Sequence, residues 1–106
     1  MSIKDELAAR KPVIEPINIG TQEPAYVRQL GADMIDFILA VNGQTGAEYS
    51  ITEVIYTLCD ANGKRAFNDT PEDREVVRNM AGDVIIAVSI LSRKLNSFDD
   101  DVSKKN

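Results

Sequence analysis

Between Ala32 and Val41, the apolar residues Met34, Phe37, Ile38 and Val41 recur at i, i+3, i+4 and i+7, the spacing of one helical face. Asn42-Gly43 closes this segment, with glycine available for a left-handed stop. Ser50-Ile51-Thr52-Glu53 then matches a capping box, in which Ser and Glu satisfy each other's backbone donors. Behind it Ile51, Val54, Ile55 and Leu58 repeat the helical spacing, which predicts a helix over about 50–59 that ends in Cys59. Thr70-Pro71-Glu72-Asp73 starts another, with Thr as cap, Pro in the first helical position and acids in the first turn. From there Val77, Ala81, Val84, Val88, Leu91 and Leu95 hold one stripe. Its phase persists across Gly82-Asp83, so two nearly collinear segments (71–81 and 83–96) or one bent helix are expected.

The N-terminal third has a different rhythm. Ser2, with Asp5 three positions on, predicts a short capped helix ending before Pro12, or else a frayed terminus. Val13 to Ile19 is rich in β-branched residues, and Val13, Ile17 and Ile19 share one face of an extended segment. Pro12 and Pro16 lack the N–H that a central strand needs, which places the segment at a sheet edge or in a loose extended stretch. After a turn at Gly20 to Pro24, Ala25 to Leu30 returns as a second strand. A lone hairpin is marginal in water, so the one over about 13–30 must lie on the helices. The expected fold is mainly α with a small β-hairpin (α+β). The hairpin is followed by a bundle of about four helices, over about 32–41, 50–59, 71–81 and 83–96. Residues 1–97 form one domain, and 98–106 are expected to be a disordered acidic and polar tail.

Composition narrows the chemistry. The 106 residues are 43% hydrophobic, enough for one self-sufficient core. Twelve Lys and Arg stand against 17 Asp and Glu, a net charge of -5, so the basic footprint of a nucleic-acid binder is missing. There is no His, which excludes Ser-His-Asp and Cys-His catalysis and His-ligated metal. The single Cys59 can make no internal disulfide. Apolar runs reach only five residues, as in Val84 to Val88, far short of the roughly 20 residues of a membrane span. With no apolar signal region at the N-terminus, the expected location is cytoplasmic.

No residue set carries catalysis, a cofactor or a metal in this reading. Asp60-x-Asn62-Gly63 opens like a calcium loop, but the sixth position is Arg65 and the twelfth Pro71, so it reads as a turn. Cys59 reads as core packing, and Glu72 and Asp73 as helix-end charges. Ile86 and Ile90 stand apart. They lie one turn from each other on the side of the last helix opposite Val84, Val88 and Leu91. Covered by the hairpin they would be core. Exposed, they would form an interaction patch flanked by Asp83, Arg93 and Lys94, and they are the candidate partner interface.

The order of these pieces also resembles a known family. Glu6-Leu7-Ala8-Ala9-Arg10 is followed by an extended pair leading to Tyr26-Val27-Arg28-Gln29-Leu30. The centre is Leu58-Cys59-Asp60-Ala61-Asn62-Gly63-Lys64-Arg65-Ala66-Phe67, and Leu95-Asn96 closes the last helix. Over about 6–96 this arrangement is similar to the tail assembly chaperones of long-tailed bacteriophages, the short product of a frameshifted gene pair. Ser92-Arg93-Lys94 departs from the small or apolar residues that the family keeps there. The resemblance implies a binding role without catalytic residues. Such a protein keeps the tape measure protein in solution during tail morphogenesis, and is absent from the mature virion. A longer frameshifted form recruits the tail tube protein, and self-association is a further option. Lys104-Lys105-Asn106 is compatible with an A-AAA-AAC slippery heptamer. The alternative is a small acidic helical regulator or adaptor, for which Arg74 and Arg78, one turn apart, would be the groove contacts.

Overall fold

The computed structural model describes residues 2–96. The expected tail at 98–106 and the Lys104-Lys105-Asn106 run lie outside the described residues. Five helices and three strands follow in the order α1 (Ile3–Ala8), β1 (Ile14–Ile17), β2 (Ala25–Arg28), α2 (Met34–Val41), α3 (Gly46–Thr57), β3 (Leu58–Cys59), α4 (Pro71–Arg78) and α5 (Gly82–Asn96). The architecture is α+β, an N-terminal hairpin region followed by helices.

The strands form one antiparallel sheet in the order β1-β2-β3. Ile14 faces Arg28 and Ile17 faces Ala25 across the hairpin, while Tyr26 and Val27 of β2 face Cys59 and Leu58. The Gln29 N–H donates to the Val13 carbonyl, so by the alternation of antiparallel pairs Ile14 and Pro16 aim their backbone outward. Proline is tolerated there because that position has no partner strand. Ile17 and Ile19 pack on the core, but Val13, expected on the same face, is exposed.

Helix α3 is the centre of the domain. Every residue from Ile51 to Cys59 is buried. Phe37 of α2 sits edge-on to two α3 rings, Tyr49 at 5.9 Å and Tyr56 at 5.7 Å. Helix α5 and strand β2 close the core with Val88, Leu91 and Val27. Asn96 anchors the end of α5, accepting from the Leu30 N–H at 2.7 Å.

Several expectations are corrected. The helix expected over about 50–59 begins a turn earlier, at Gly46, with Thr45 as its extended cap residue. The Thr52 hydroxyl donates to the Glu48 carbonyl four residues back, so the chain is already helical before Ser50. Ser50 and Glu53 therefore form no capping box. At the other end, hydrogen bonding to β2 draws Leu58 and Cys59 into a strand, so Cys59 is not helical. In the last third there are two helices, and Ala81 falls exposed in the link between them rather than on the buried stripe.

Local signals that act within one turn match the structure. Ser2 accepts from the Asp5 N–H at 3.1 Å and Thr70 from the Asp73 N–H at 3.2 Å. The Asp60 carboxylate takes the N–H groups of Asn62 and Lys64, and Gly63 supplies the left-handed residue with φ 81°, making a plain turn.

Candidate interaction site

Polar groups inside the domain are committed to holding helices together. Glu53 is fully buried and accepts from the hydroxyls of Ser89 and, at 3.1 Å, Ser92, both on the inner side of α5. The guanidinium of Arg93 approaches the same carboxylate at 3.8 Å. Ser92, part of the polar departure near the chain's last helical turns, is thus a core residue that hydrogen-bonds a buried carboxyl.

Asp33, before α2, accepts from Arg28 of β2 and, at 3.1 Å, from Arg65 of the loop after β3. Burial pushes its carboxyl up, but hydrogen bonds from the two arginines outweigh this and hold it below the ordinary value. The Arg65 guanidinium carbon also lies over the Tyr56 ring, 4.2 Å from its centre. The Tyr56 hydroxyl donates to Asp69, whose other oxygen takes Arg74 at 2.8 Å. Arg74 further donates to Thr52, and Arg78 pairs with Glu48 and Glu75. The two arginines considered as groove contacts are therefore tied to carboxylates of this chain.

Cys59 lines a cleft of about 590 Å³ between the turn that joins β1 to β2, β3 with the loop after it and the start of α5, whose walls include Pro24, Leu58, Phe67 and Met80. Burial pushes its thiol up to about 11, so it is protonated at neutral pH and poorly suited to nucleophilic attack. Among the described residues no group of three or more His, Cys, Asp or Glu side chains could hold a metal ion. No helix there is long and apolar enough to cross a membrane.

What the surface offers instead is apolar. Ile86 and Ile90 are 60% and 65% exposed, so the hairpin does not cover them. β2 packs against the opposite side of α5, where Val88 is fully buried. Ile86 also rims a hollow of about 220 Å³ floored by Ile51 and Ile85.

A larger patch was missed by the spacing argument. On α2, Ile35, Ile38 and Leu39 are 67%, 56% and 70% exposed. The i, i+3, i+4, i+7 spacing places Ile38 on the buried stripe, and the structure corrects this. The helix instead turns Met34, Phe37 and Val41 toward α3, because Phe37 fits between Tyr49 and Tyr56. The signal was present in the sequence: Asp36 is the only polar residue between Met34 and Val41, and a helix apolar all round needs cover on every side. Among the described helices and strands, only α3 packs substantially against it.

Fold and surface together describe a small α+β domain whose conspicuous outward features are apolar helix faces on an acidic chain. Compared with family models, curated proteins and solved structures, the chain matches none.

Proposed function

We propose that this chain is a non-enzymatic tail assembly chaperone that binds apolar helical segments of a phage tape measure protein and keeps them from aggregating until the tail is built. It acts in the cytoplasm of the bacterial host and does not enter the finished virion. A longer frameshifted form brings the tail tube protein to the same complex.

The observation that carries this reading is the outer face of α2, where three large aliphatic side chains stand in water on a chain of net charge -5. Burying one such side chain contributes about 1.5–3 kcal/mol, so the three supply a hydrophobic centre for a partner helix. The acidic remainder keeps the complex dispersed. The resemblance in element order supports the identity of the client.

Co-expression with the neighbouring tape measure protein tests the proposal. The client's soluble fraction should rise with this chain and fall back when Ile38 and Leu39 are both changed to Ser. A client equally insoluble with and without the chain refutes it. For the longer form the nucleotide sequence decides: a slippery heptamer at codons 104–106 with an open overlapping frame is expected.

The regulator reading is less well supported, because Arg74 and Arg78 are already paired with Asp69, Glu48 and Glu75.

A further inference from the structure

The outer face of α5 has a pattern that complements itself. Each helical residue advances about 100°, so Ile86 and Ile90 lie about 40° apart and together centre the exposed side. Asp83 and Lys94 both fall on the same edge of that stripe, Asp83 before it and Lys94 after it. Arg93 falls on the other edge and leans toward the buried Glu53. Neither Asp83 nor Lys94 takes part in an ion pair among the described residues, and both are exposed.

We infer that α5 docks antiparallel against α5 of a second copy of this chain. A two-fold axis at the level of Val88 brings Ile86 opposite the partner's Ile90, and the reverse. The same axis keeps each edge of the stripe facing the same edge of its partner. Asp83 then meets the partner's Lys94, with an axial mismatch of one residue, about 1.5 Å. The contact repeats at the other end, as an isologous interface requires. Parallel docking would instead set each edge against the partner's opposite edge, placing Lys94 beside the partner's Arg93 and leaving Asp83 without a cation, so the charges select the antiparallel form.

Asp83 and Lys94 are about 16 Å apart along the helix, so the contact is short of the roughly 800 Å² per partner of a stable complex. The dimer is therefore a rapidly exchanging one, and it leaves the α2 face free for a client.

Sedimentation equilibrium of the full chain over about 10 μM to 1 mM, the range suited to so small an interface, tests this. The average mass should rise from 11.7 kDa toward twice that value. Asp83→Lys alone and Lys94→Asp alone should each stay monomeric, because each sets like charges together. An equimolar mixture of the two variants should regain the dimer, since every contact then joins opposite charges. Ile86→Ser with Ile90→Ser should abolish association with the far-UV circular dichroism unchanged. A wild-type chain that is monomeric throughout, or a dimer indifferent to the isoleucine and charge variants, overturns the inference. Chaperone activity is read separately through α2 and the client, so either proposal can fail without the other.

Discussion

Removing the Glu53 carboxylate should be among the most damaging single changes to this fold. In Glu53→Ala the hydroxyls of Ser89 and Ser92, both buried, lose the acceptor that the structure gives them. A buried hydroxyl left without its acceptor costs about 1–3 kcal/mol, so losing the acceptor of both serines costs about 3 kcal/mol or more. The half-exposed Arg93 adds little, since it can turn to water. Against a total stability of about 5–15 kcal/mol, this takes about a fifth or more of what holds the domain together. Urea unfolding followed by far-UV circular dichroism at pH 7 measures it. With a slope of about 1 kcal/mol/M, the midpoint should fall by about 3 M or the folded baseline should vanish. Glu53→Gln keeps the shape and one good acceptor, and should lose about 1–2 kcal/mol. Glu53→Leu combined with Ser89→Ala and Ser92→Ala removes the carboxyl together with both buried hydroxyls and should recover much of the loss. A Glu53→Ala midpoint within about 0.5 M of wild type would refute the idea that this carboxylate holds α3 to α5.

Two further outcomes follow from the titrating groups. Asp33→Asn should destabilise the domain at pH 7 by about 1–2 kcal/mol, because the part-buried arginines lose a charged partner. The native carboxyl is held below its ordinary 3.8, so its contribution is present above that value and disappears as pH falls through the lowered one. The wild-type-to-variant gap should accordingly close in acid, and a gap independent of pH would contradict the assignment. Cys59, buried with its thiol pushed to about 11, should react with an aromatic disulfide reagent at pH 8 far more slowly than in urea. Equal rates in the two conditions would show that the cleft does not shield the sulfur.

Local physics made part of this fold legible in the sequence. A helix start is settled within four residues, so Ser2, Thr70 and Pro71 act on donors in their own first turn. The Asp60 turn and the edge position of Pro16 follow from backbone groups close in sequence or missing altogether. The exposure of Ile86 and Ile90 was open because periodicity shows that a helix is apolar on two sides without showing which side is covered. The same gap misplaced Ile38: α2 is apolar nearly all round, and only Phe37's fit between Tyr49 and Tyr56 selects the inner face.

Ser50 to Glu53 shows most clearly where sequence reasoning stops. The spacing alone satisfies a helix cap, but Glu53 finds Ser89 and Ser92, 36 and 39 residues away, and the helix starts upstream. Leu58 and Cys59 are likewise taken from α3 by pairing with β2, a contact no local pattern encodes. The sequence by itself determined the caps of α1 and α4, the Asp60 turn and the amphipathic stretches, since those depend on neighbours in the chain. Tertiary packing alone decided the third strand, the buried carboxylate and the faces left in water, because each depends on which distant surface arrives to cover it.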